Sequence, residues 1–152
     1  MHEKYMRIAL EEAQVALDKG NIPIGACIVL DGCVISRAHN EVDSSRSDLK
    51  HAEMQALTQV DSRLFELSTK VSIYSTLEPC AMCAGAIVNT GIQEIVYGAS
   101  DSLVGAISVL RTNGYYQTRL VNVVGDVLAN ESQQLLNQYV DKYGCRKHLK
   151  HS

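Results

Sequence analysis

Two short segments hold the residue types that could do chemistry together: His51-Ala52-Glu53 and Pro79-Cys80-Ala81-Met82-Cys83. Zinc favours nitrogen and thiolate ligands in a tetrahedron, and a catalytic zinc takes three protein ligands and leaves the fourth position to water. His51, Cys80 and Cys83 are three such ligands. Two cysteines three apart on a helix share one face and can hold one ion. In a first turn, the positive end of the helix also favours their thiolates. Glu53 adds what a catalyst needs. Zinc lowers the pKa of the water it holds towards neutrality, and a nearby carboxylate can take that proton and later deliver it to a leaving group. Residues two apart do not share a helix face, so His51 and Glu53 are expected in an irregular first turn, converging at the N-terminal end of their helix.

Each of these signals alone has a plainer reading. A single Cys-x-x-Cys pair is more often half of a four-ligand structural zinc site, a lone histidine a surface or core residue, and a lone glutamate a solvated helix residue. Two readings of the set therefore compete. In one, the chain is an enzyme with zinc, a base and an open coordination position. In the other, zinc only braces a non-catalytic binding module, which would need a fourth protein ligand and has no use for Glu53. No fourth ligand has convincing spacing near either segment, so the catalytic reading is preferred.

Elements must bring the two segments together. Residues 3–19 place Met6, Ile8, Ala9, Ala13, Ala16 and Leu17 at helical spacing, with Gly20-Asn21 as a stop. Residues 22–30 are an almost unbroken apolar run, expected as a buried strand. Asp31-Gly32 signals a hairpin turn into a second strand, 33–39. Residues 40–50 are polar and expected as a loop, followed by a helix from about His51 to Val60. Strands are expected at 71–76, 92–98 and 119–124, and helices from Pro79 to Val88, at 104–110 and at 130–143. A hairpin followed by strand–helix–strand alternation predicts a mixed sheet with helices on both faces.

The 152 residues suit one domain, with no repeat, linker or low-complexity tract. Hydrophobic residues make up 46% and charged residues 20%, ordinary for a globular enzyme. No apolar run reaches the roughly 18 to 20 residues that span a bilayer, and Met1-His2-Glu3-Lys4-Tyr5 lacks a signal-peptide layout, so a cytoplasmic protein is expected. The net charge of −3 supplies no argument for nucleic acid as a partner. An odd count of five cysteines argues against a disulfide framework. Cys27 and Cys33, in strand-like stretches, are expected as buried thiols. The end of the chain, about 144–152, with Cys145, His148 and His151, reads as a mobile tail rather than a second metal site.

The order His-x-Glu then Pro-Cys-x-x-Cys is the zinc-deaminase signature, and on it the chain resembles the cytidine deaminase superfamily over nearly its whole length. It is most similar to the branch of tRNA adenosine, guanine and fungal-type cytosine deaminases, through Ile22-Pro23-Ile24-Gly25-Ala26, Ala38-His39-Asn40, Thr76 to Ile87 and Val96-Tyr97-Gly98-Ala99. The resemblance implies a three-layer α/β/α fold around a five-stranded mixed sheet, a homodimer or higher oligomer, Zn2+ on His51, Cys80 and Cys83, and proton shuttling by Glu53. It also implies that Asn40 contacts the base or ribose, and that backbone near Ile24, Ala52 and Glu78 lines the pocket. Asp48-Leu49-Lys50 and Gln117-Thr118-Arg119 depart from the stretches usual in bacterial tRNA adenosine deaminases. The expected substrate is accordingly a small nucleobase or nucleoside, with adenosine at the wobble position of tRNA as the alternative. Pocket size is expected to be set by loops 99–119 and the C-terminal helix.

Overall fold

The apolar run that follows the first helix supplies the inner strand of an antiparallel hairpin. In the computed structural model, which describes residues 1–120 and 122–144, β1 (Gly25–Leu30) pairs antiparallel with β2 (Cys33–His39) across Asp31-Gly32. The φ values of 48° and 85° at those two residues are the left-handed pair that a tight two-residue hairpin turn requires. β1 also pairs antiparallel with β3 (Val71–Leu77). From there the sheet turns parallel, through β4 (Glu94–Ala99) to β5 (Asn122–Val124), in the order β2-β1-β3-β4-β5. This is the five-stranded mixed sheet expected.

Helices cover both faces, because the inner strands bury side chains on both sides. On one face, Tyr5, Met6 and Ala9 of α1 (His2–Asp18) pack against Cys27, Val29, Tyr74 and Val96. On the other, Ala52 and Ala56 of α3 (Ala52–Thr58) and Ala84 and Ile87 of α5 (Ala81–Asn89) share a core with Ile28, Ile73, Leu77 and Ile95. The last helix, α8 (Ala129–Tyr143), packs on β4 beside α1. Among the described residues, no helix is long and apolar enough to cross a membrane.

Four details differ from the sequence expectation. The first strand begins at Gly25 rather than Ile22, because a tight Ile24 N–H to Ile22 carbonyl bond turns the chain there. The polar 40–50 stretch contains a one-turn helix, α2 (Val42–Ser45), which side chains rather than apolar periodicity organise: the Ser45 hydroxyl donates to the Glu41 carbonyl. Two further short helices, α4 (Arg63–Glu66) ahead of β3 and α7 (Gly114–Arg119) after α6 (Ile107–Leu110), are both too short to show a period. Cys33 is exposed, not buried, since it leaves the hairpin turn on the edge strand, while Cys27 is buried as expected. The tail reading at Cys145, His148 and His151 lies outside the described residues.

Gly25 is where α1 meets the sheet most closely: a Cβ there would overlap the Ala9 carbonyl and press on the backbone of Ala13. Neither neighbour is a flexible side chain that could give way. Gly25→Ala should therefore lower stability by about 1–3 kcal/mol, as overpacked cores do. Gly114→Ala, where nothing lies within 4 Å of the added carbon, should leave the thermal midpoint unchanged or higher. Equal midpoints for the two variants would refute this account of the α1–sheet contact.

Candidate active site

The parallel strand β3 ends at Leu77, and the chain passes through Glu78-Pro79 into α5. In sheets of this kind the carboxyl ends of parallel strands, next to helix N-termini, form the binding crevice. Cys80 is the N-cap of α5, with extended φ and ψ of −71° and 174°, and Cys83 is the third residue of the helix. His51 is the N-cap of α3, at −67° and 153°, with Glu53 in its first turn. The irregular first turn thus lets two residues two apart face one place.

His51 Nδ1 lies 3.6 Å from Cys80 Sγ and 3.5 Å from Cys83 Sγ. All three ligand atoms fall within 4.8 Å of one another, a spacing that could hold one metal ion. A tetrahedral zinc with ordinary Zn–N and Zn–S bonds sets its nitrogen and sulfur ligands about 3.6 Å apart. The donor set and its spacing fit zinc, and among the described residues no fourth His, Cys, Asp or Glu joins the group. Two donor types favour thiolate here. Cys80's pKa is brought down to about 4, chiefly by a hydrogen bond from the Cys83 thiol and further by His51, against the effect of burial. That same bond to Cys80, with burial, raises the Cys83 thiol. The contact with Cys80 also raises the His51 imidazole.

Glu53 is buried, 4% exposed, and accepts a hydrogen bond of 2.9 Å at Oε1 from the Ser75 hydroxyl of β3. Burial raises its carboxyl, opposed by a backbone N–H and by Ser75. A small cavity opens beside this cluster, lined by Ile24, His51, Glu53, Leu77, Glu78, Cys80, Asp101 and Val104. Of the residues that the resemblance singled out, Ile24 and Glu78 line it. Ala52 does not; its side chain is wholly buried in the core.

Asn40 sits next to this wall, its N–H donating to the Ile24 carbonyl. Its segment is clipped from several sides: Asn21 Nδ2 donates to Ser44 Oγ, the Ser44 N–H donates to Asn21 Oδ1, and the Tyr139 hydroxyl donates to Asp43. Asn40 Oδ1 accepts from the Val42 N–H, and Nδ2 is buried with no partner. A buried donor left in this state costs about 1–3 kcal/mol.

Sequence reasoning missed Leu77, Asp101 and Val104. Asp101 accepts at Oδ1 from the N–H groups of Leu103 and Val104, while Oδ2 is buried without a partner. Its signal was position: an acidic residue just past the carboxyl end of β4. The 101–104 segment does shape the cavity as expected, but α8 supplies none of the lining residues. The C-terminal helix packs over the opposite face of the sheet, beside α1.

Comparison with known proteins places this geometry. Residues 1–99 match the family described as the cytidine and deoxycytidylate deaminase zinc-binding region. The chain is 36% identical to a tRNA-specific adenosine deaminase of Bacillus subtilis, over 97% of this chain and 96% of that one. A solved structure from work on A-to-I editing by tRNA:A34 deaminases at the wobble position of transfer RNA superposes with a TM-score of 0.73 at 32% identity, covering 88% of this chain and 99% of that one. A guanine deaminase from Nitrosomonas europaea gives 0.76 at 21% identity, over 90% and 83% of the two chains, a likeness of fold. Sequence and structure lead to one lineage, and the chain belongs to the zinc-dependent cytidine and deoxycytidylate deaminase family.

Proposed function

We propose that this protein is a hydrolytic tRNA adenosine deaminase, which converts adenosine to inosine at the wobble position. The observation that carries the reading is the 36% identity to a tRNA-specific adenosine deaminase, spread over nearly the full length of both chains. The free-base reading, which the departures at Asp48-Leu49-Lys50 and Gln117-Thr118-Arg119 favoured, rests on fewer residues. Leu49 is 66% exposed, and none of these six residues lines the cavity. A base presented by an RNA loop must be flipped into the pocket.

His51 through Nδ1 and Cys80 and Cys83 through their sulfurs would hold zinc. When bound there, zinc supplies the Lewis acidity that makes water nucleophilic at neutral pH. Glu53 takes one proton from the attacking water and delivers it to the purine ring nitrogen, then carries the second, from the hydroxyl now on the carbon, to the departing amine. Water and the amine-bearing carbon thereby yield a carbonyl and ammonia. The burial that raises Glu53 suits a group that must both accept and release a proton. Ile24, Leu77 and Val104 give the pocket apolar walls for the ring. The unpartnered Asn40 Nδ2 and Asp101 Oδ2 offer a donor and an acceptor for a polar ligand.

The test is inosine formation in an anticodon stem-loop beside ammonia release from guanine, cytosine, adenine and their nucleosides. Turnover of the stem-loop with none of the small substrates is expected. Turnover of a small base with a silent stem-loop would return the protein to the free-base reading. Glu53→Ala should keep its zinc, measured by atomic absorption, and lose about 10²- to 10⁴-fold in kcat. His51→Ala and Cys83→Ala should lose zinc and activity together. Dialysis of the native protein against a chelator should abolish turnover, and added zinc should restore it.

A further inference from the structure

We infer that Ser75 is a positioning residue for Glu53: its hydroxyl, in the centre of the sheet, orients the carboxylate that moves the protons. The inference rests on the role given to Glu53 above. β3 is the central strand, with Ala26 of β1 and Tyr97 of β4 on either side of Ser75. All seven of its residues are buried, and Ser75 is 0% exposed. A strand buried on both faces calls for apolar side chains, and a hydroxyl at that depth is costly unless it is hydrogen-bonded. Its bond goes to Glu53 Oε1, at 2.9 Å. The serine therefore stands where packing alone would choose valine or alanine, and its polar atom is spent on the one carboxylate in the cavity wall that faces the metal triad.

Glu53 needs such a partner. Its side chain turns about three torsions, and burial alone does not set which way the two carboxylate oxygens point. A hydrogen bond from a rigid strand fixes one oxygen, so the carboxylate plane no longer turns freely about its last bond. Catalytic groups lose as much as 100-fold when misplaced by about 1 Å. Ser75 itself is not among the residues that line the cavity. It acts on the rate through Glu53 and not on binding.

The test compares Ser75→Val, Ser75→Ala and Ser75→Thr in the zinc-loaded protein, with the anticodon stem-loop as substrate. Valine and threonine have the same shape and differ by the hydroxyl, so the pair separates hydrogen bonding from volume. The expected result is a fall of about 10- to 100-fold in kcat for valine and alanine, with KM, zinc content and thermal midpoint near the parent values. Threonine should restore kcat. In a Glu53→Ala background, Ser75→Ala should cost nothing further, since the group it serves is gone. Parental kcat in the valine and alanine variants would overturn the inference. So would a loss that tracks zinc or folding, or one that threonine fails to rescue, because the hydroxyl would then be structural. A parent protein whose turnover does not depend on Glu53 would sink the inference and the mechanism together, whereas Glu53-dependent turnover with a silent Ser75→Val sinks the inference alone.

Discussion

The site depends on two helix N-termini meeting at the end of one strand. N-cap positions normally go to serine, threonine, aspartate or asparagine, whose side chains satisfy free N–H groups and are worth about 1 kcal/mol each. Here the two N-caps are His51 and Cys80, and neither makes a side-chain capping bond. Both helices give up local stability so that their first residues can turn toward a common point. The same ends carry the positive poles of the helix dipoles, which favour thiolates and a carboxylate. Small residues make the meeting close enough: Ala52, Ala56 and Ala84 belong to the core that the two helices share.

A second constraint holds the cavity wall against the metal triad. The Glu78 N–H donates to the Ala99 carbonyl, the Asp101 N–H to Glu78 Oε2, and the Ala106 N–H to the Pro79 carbonyl. Cys80 forms an isolated bridge with Gly105. A Cβ at Gly105 would overlap the backbone carbonyl of Asp101, which cannot give way as the neighbouring Glu78 carboxylate could, so this tight turn requires glycine. The loop after β4 is thereby fixed to the segment that carries Cys80. Asp101 and Val104 reach the pocket from a stretch more than twenty residues further along the chain.

Much of this was legible beforehand because its signals are local. The hairpin announced itself through Asp31-Gly32, the amphipathic first helix through its period, and the metal group through residue types at ligand spacing. What escaped lacked a local signal. One-turn helices such as α4 and α7 have no period to read. The exposure of Cys33 follows from β2 being the edge strand, a fact of strand order rather than of its own neighbours. The fold placed α8 on the face of α1, away from the pocket that it was expected to shape.

The amino-acid sequence by itself determined the chemistry. His51, Cys80 and Cys83 are types that can hold zinc, Glu53 is a type that can move protons, and their order matches the signature of one reaction class. Only the tertiary structure decided which further groups serve them. Ser75 meets Glu53 because β3 runs beneath α3, and Asp101 meets the cavity because β4 lies parallel to β3. These partners are joined through space across a sheet. A one-dimensional pattern can specify ligand spacing within a turn of helix, but strand order and layer packing are collective outcomes of burying the whole apolar surface.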